Sequence, residues 1–142
     1  MKALYTASAT VTGNGRDGHG RTSDGALEVD LVIPGRDRPG TNPEQLFALG
    51  YSACFLSALK SIAKTENVTV VDDAVTADVS LGRRADGSYG LAIELHVELG
   101  GGVEQAVAED LVEKAHRRCP YSQAIRGNVE VGIDVTTDGV SA

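Results

Sequence analysis

Residues 46–59 run LFALGYSACFLSAL, fourteen positions without a charge, and no helical or strand period gives the run a polar face. The surrounding stretch 41–64 predicts one long helix, apolar almost all the way round. Asn42 is a suitable N-cap, and Pro43 suits the first helical position because its missing N–H is not needed there. Gln45 is placed to return the cap's hydrogen bond, and Glu44 stands where a helix start favours negative charge. A bilayer span needs about twenty apolar residues, and Lys60 and Lys64 follow at once, so a buried helix is expected rather than a membrane span.

Elsewhere the pattern alternates. Tyr5, Ala7, Ala9 and Val11 share one face of a predicted strand over 4–13. The run Gly13-Asn14-Gly15-Arg16-Asp17-Gly18 then reads as a turn joining antiparallel strands, with Arg16 near its tip. Leu27, Val29, Leu31 and Ile33 predict a strand with one wet face, and 34–40 is a charged connector. Val75, Ala77, Val79 and Leu81, a turn at Asp86-Gly87, and Leu91 through Leu99 predict a hairpin. A second helix over 103–118 carries the line Val103, Val107, Leu111, Ala115, whose next member is Cys119; Pro120 ends it. Val129, Val131, Ile133 and Val135 predict a last strand. The order β-β-β-α-β-β-α-β makes an α+β fold of antiparallel sheets around the buried helix, one domain over 1–142. One thin sheet cannot cover a helix apolar on all sides, so a homodimer is expected.

Charge narrows the function classes. The net charge is −7. Residues 1–71 hold 7 basic and 7 acidic side chains, whereas 72–142 hold 6 and 13. That second half repels phosphate backbones and argues against nucleic acid. The N-terminal segment lacks the apolar core of a signal peptide, so a cytoplasmic location is expected, where a static structural disulfide would be unusual.

The two cysteines are therefore either packed core residues or a redox pair. Their spacing is neither C-x-x-C nor that of a zinc site. Cys119 falls at the negative end of a helix, which disfavours a thiolate; Cys54 lacks that penalty and is the better nucleophile if a cation lies nearby. Arg16 is the candidate cation, and Glu44 the carboxylate that would hold its guanidinium in a bidentate pair. Each also suits an ordinary surface role. His19, His96 and His116 show no metal-ligand spacing and no acid partner in the sequence, and read as solvated.

GRDG at 15–18, TNPEQLFALGYSACF at 41–55, KAHRRCPYS at 114–122 and RGN at 126–128 together resemble the organic hydroperoxide resistance (Ohr) proteins of the OsmC/Ohr family. The resemblance implies a thiol-dependent peroxidase for organic hydroperoxides, built as an intertwined homodimer with two active sites. It makes Cys54 the attacking cysteine, Cys119 the resolving one, and Arg16 with Glu44 the pair that activates the thiolate. It further implies re-reduction by a dihydrolipoyl dithiol on a lipoylated protein, with no metal or organic cofactor. An apolar pocket edged by Phe47, Phe55 and Leu56 is expected to favour alkyl or lipid hydroperoxides. The charged connector holding Arg36, Asp37 and Arg38 departs from the family pattern, and either arginine is a rival for Glu44. The competing readings are a non-enzymatic dimer that binds an apolar ligand and a thiol redox sensor.

Overall fold

A computed structural model describes residues 1–139, and its contacts group into two units, Met1–Leu46 and Phe47–Ala142. In the first, β1 (Ala9–Asn14), β2 (Asp17–Thr22) and β3 (Glu28–Asp30) form an antiparallel sheet in chain order. Asn14 pairs with Asp17, which leaves Gly15 and Arg16 as a two-residue turn; Gly15 has φ 58. A glycine in that position gives the hairpin a twist matching its strands. The first strand starts later than its sequence pattern predicts. The pairing ends with Thr22 opposite Ala9 and one further bond from Ser23 N–H to Ser8 O, and Leu4 and Tyr5 stay 98% and 82% exposed. The strand predicted around Leu31 is also shorter: Leu31 leaves the ladder for an isolated parallel bridge to Thr41.

Helix α1 (Pro43–Thr65) starts in this unit, and Asn42 Oδ1 accepts the Gln45 N–H at 2.9 Å as an N-cap should. The reciprocal half of the cap differs from expectation. The Gln45 side-chain oxygen accepts the Thr41 hydroxyl at 2.8 Å. Replacing Asn42 by alanine leaves an amide at the helix start unsatisfied and is expected to cost about 1 kcal/mol. A urea titration of Asn42→Ala against Asn42→Ser, which keeps the acceptor, measures it.

The second unit holds the rest of α1, β4 (Val71–Arg83), β5 (Tyr89–Gly100), α2 (Gln105–Arg118), α3 (Pro120–Ile125) and β6 (Val131–Thr137). β4 and β5 form the expected hairpin, closed by Ser88 N–H on Asp86 Oδ1 at 2.9 Å with Gly87 at φ 86. β6 lies beside β5 but parallel to it, so this sheet is mixed. The helical connection through α2 and α3 is what allows a parallel return. Ile93, Leu95, Val97 and Leu99 turn one face of β5 inward against Tyr51, Phe55 and Leu59 of α1 and Ala108, Leu111 and Ala115 of α2. Val103 and Cys119 are buried as their apolar line predicts, although α2 starts at Gln105, two residues later than expected, and leaves Val103 outside it. By length and composition α1 would suit a bilayer, but this line of its side chains is committed to a protein core. Its other face is not covered: Leu49 is 70% exposed.

On the outer face of the mixed sheet, His96 joins three strands. Its Nδ1 lies 2.6 Å from Asp134 and its Nε2 2.9 Å from Asp78. Bonds to Asp134, then Asp78, raise its pKa above the ordinary 6.5. The unfolded chain lacks these partners, so their stabilisation is complete below pH about 6.5 and is lost as pH rises through the folded pKa. His96→Asn is therefore expected to flatten the decline of the urea midpoint across that window. An unchanged decline would assign it to other groups.

Candidate active site

Cys54 sits mid-way along α1. Cys119 sits where α2 stops and α3 begins, with φ −60 and ψ 123, outside helical geometry. Its own N–H still closes the last turn of α2 on Ala115 O at 2.8 Å. Pro120, with no N–H to donate, opens α3 from the next position. This break turns Cys119 inward with no exposed surface, and its sulfur lies 3.4 Å from that of Cys54. Both thiols are free. A disulfide needs about 2.05 Å between the sulfurs, so closure must bring them more than 1 Å nearer.

Burial is the largest influence on Cys54 and pushes its thiol above the ordinary value; the Cys119 thiol acts in the same direction. A hydrogen bond from the Tyr121 backbone N–H opposes them. Within this unit, then, burial and the neighbouring thiol favour the protonated sulfur. Aromatic rings cluster on the same helix as Cys54. Phe47 meets Tyr51 and Tyr121 edge-on, with centroids 6.1 and 5.8 Å apart. A side-chain carbon on Gly50 would stand 2.9 Å from Tyr121 Oη, so glycine is what lets that ring lie against α1. Phe55, expected at a pocket edge, is a core residue with no exposed surface, while Leu56 is half-buried. Behind the rings, Tyr51 Oη bonds Ser122 Oγ at 2.6 Å, and Ser122 Oγ lies 2.9 Å from His116 Nδ1.

In the first unit, Arg16 and Glu44 make a bidentate pair, with N–O distances of 2.6 and 2.9 Å. The Arg16 hydrogen bond holds the Glu44 carboxyl below its usual range despite partial burial. The rival arginines do not intervene. Arg38 is held by Asp17 and the Leu31 carbonyl, and both Glu44 oxygens belong to Arg16.

Residues 35–134 match the family model described as OsmC-like protein. The chain belongs to the OsmC/Ohr family. Among its relatives, organic hydroperoxide resistance protein OhrA of Bacillus subtilis is 48% identical over 93% of this chain and 96% of its own length. The organic hydroperoxide resistance protein of Xanthomonas axonopodis pv. citri is 44% identical over 92% and 93%. The crystal structure of an organic hydroperoxide resistance protein from Elizabethkingia anophelis superposes with a TM-score of 0.90 at 46% identity, covering 97% of this chain and all of that one.

Of the residues singled out as an OsmC/Ohr site, Cys54 meets Cys119 within one unit, and Arg16 meets Glu44 within the other. Tyr51, Tyr121 and Ser122 are not singled out by the sequence, and His116, expected to be solvated, is half-buried and bonded to Ser122. The motif CPYS held two of them in plain view, but its tyrosine and serine carry no signal until the α2–α3 break turns them toward α1.

Proposed function

We propose that this OsmC/Ohr-family chain is a thiol peroxidase that reduces organic hydroperoxides to alcohols. The observation that carries the reading is the 3.4 Å between two free cysteine sulfurs remote in sequence, one buried and one half-buried. In the first step the Cys54 thiolate attacks the outer peroxide oxygen. The O–O bond breaks, the alkoxide leaves and takes a proton, and Cys54 becomes a sulfenic acid. In the second, the Cys119 sulfur displaces hydroxide from Cys54; a disulfide forms and water departs. In the third, an external dithiol of the dihydrolipoyl type exchanges with that disulfide and restores both thiols. Arg16, oriented by Glu44, supplies the positive charge that the Cys54 thiolate needs and donors for the leaving alkoxide. Phe47 and Tyr121 give the site an apolar wall suited to alkyl chains.

The working form is a homodimer in the cytoplasm. Exposed Leu4, Tyr5 and Val11 of the first unit and Leu49 on α1 support this: apolar side chains in such number ask for a second copy.

The test is a thiol count. Reduced protein is treated with one equivalent of cumene hydroperoxide, and both thiols are expected to vanish into one intramolecular disulfide, with turnover once dihydrolipoamide is present. Unchanged thiols would leave a binding protein. A disulfide that forms but never turns over with excess dithiol would leave a redox sensor.

A further inference from the structure

Three polar side chains of the second unit are left unused by those steps, yet they are joined to one another. Tyr51 Oη and Ser122 Oγ are 2.6 Å apart, and neither residue has exposed surface. Ser122 Oγ continues to His116 Nδ1 at 2.9 Å, and His116 is only half-buried. The chain thus runs from the core towards the surface. Its inner end shares the core with the sulfurs: Tyr51 and Cys119 are fully buried members of one cluster, and Cys54 packs against it. The sequence ties it to the same turns, with Tyr51 three residues before Cys54 and with His116 and Ser122 three residues either side of Cys119.

Mutual satisfaction would explain two buried hydroxyls bonded to each other. The imidazole accepts the hydrogen that such a pair leaves over, and because His116 is half-buried it also carries the chain outward. We propose that Tyr51, Ser122 and His116 form a proton relay for closing the Cys54–Cys119 disulfide, with His116 as the terminal acceptor. The use of the relay in catalysis rests on the peroxidase reading; its action on disulfide closure does not. When Cys119 attacks sulfenylated Cys54, the S–S bond forms and the S–O bond breaks. The Cys119 sulfur is oxidised and the Cys54 sulfur reduced. The Cys119 proton enters at Tyr51 as Tyr51 passes its own to Ser122 and Ser122 passes its own to His116 Nδ1. The reverse shift returns a proton to the departing hydroxide, which leaves as water.

The electrostatics suit an acceptor. Burial, and then the charge of Arg126, hold His116 below the ordinary histidine value, which favours the neutral imidazole that can accept a proton. Arg126 also donates to the His116 carbonyl at 2.8 Å. The remaining charged groups that share its groove are Glu109, Glu113 and Asp134. Gln105 donates to Glu109, Arg117 holds Glu113, and His96 holds Asp134.

Closure is followed in two ways on the full chain. One equivalent of cumene hydroperoxide makes the sulfenic acid. One equivalent of 5,5′-dithiobis(2-nitrobenzoate) instead places an aromatic thiol on Cys54, which closure expels as a coloured thiolate and a proton. His116→Asn is expected to slow closure about tenfold or more in both arms and to flatten its pH profile, while loading of Cys54 stays within about twofold. Ser122→Ala is expected to reproduce the slowing without removing the imidazole. Closure of both variants at the parent rate with the parent pH profile overturns the relay. Should His116→Asn melt early, Ser122→Ala and Tyr51→Phe decide by the same two readouts. A parent protein inert to peroxide but competent in the aromatic arm would end the peroxidase reading alone, and the relay is then judged on that arm.

Discussion

Replacing Cys54 by serine is expected to abolish peroxide consumption, and replacing Cys119 by serine to leave one round of it intact. The asymmetry follows from where the sulfurs sit. Cys119 has no exposed surface and is reached from inside, across 3.4 Å, by the other sulfur, whereas Cys54 retains some exposure. A hydroperoxide therefore meets Cys54 first. A serine hydroxyl at Cys54 is barely ionised at neutral pH and is a poor nucleophile toward oxygen, so the loss amounts to the whole chemical step. In Cys119→Ser the sulfenic acid forms at the parent rate but has no thiol to condense with. It persists, is trapped by dimedone, and passes with excess peroxide to the sulfinic acid, which a dithiol cannot restore. Stopped-flow consumption of cumene hydroperoxide, with intact mass before and after dimedone, separates the two variants. A burst in Cys54→Ser and none in Cys119→Ser would exchange the two roles.

Those roles show how far the sequence alone reaches. Local signals served well. The uncharged run, the Asn42-Pro43 start and the lysines after it located α1 to within two residues at either end. The apolar line ending in Cys119 and the Asp86-Gly87 turn placed α2's buried face and the β4–β5 hairpin. Pairings across the chain were not legible. His96 reads as a solvated histidine among glutamates until β6 comes alongside β5 in parallel and sets Asp134 opposite it. His19, likewise, gains Asp30 and Glu28 only through the β2–β3 register and its edge. A helix as short as α3 has no room to display a period, so Pro120 was read as a stop when it is also a start. Tyr51 and Ser122 are 71 residues apart, and only a packed core shows their bond. Arg16 and Glu44 were named from residue type and family resemblance. The structure pairs them at 2.6 and 2.9 Å and leaves their chemistry to experiment.

Arg16→Ala is expected to lower the rate of peroxide consumption about 10²–10³-fold, the usual loss when one donor to a developing oxyanion is removed. Ionisation alone accounts for the smaller part. A thiol near pKa 8.5 is a few per cent thiolate at pH 7, so full ionisation multiplies the reactive population by about thirty at most. Because burial sets Cys54 above the ordinary thiol, the charge has somewhat more to supply. The remainder is orientation of the O–O bond and reception of the alkoxide, which need the guanidinium fork and not merely a positive charge. Two further variants separate these parts. Arg16→Lys keeps the charge and loses the fork, so the pH midpoint of Cys54 alkylation by iodoacetamide should stay near that of the parent while peroxide consumption still falls. Glu44→Gln removes a negative charge but leaves the guanidinium unanchored. Its alkylation midpoint should fall or stay put, since one fewer anion opposes the thiolate, and peroxide consumption should nevertheless drop. In Arg16→Ala both readouts move: the midpoint rises because the thiolate loses its cation, and consumption collapses. If the Arg16→Ala midpoint and rate both match those of the parent, Arg16 is only Glu44's surface partner, and the cation that activates Cys54 is another.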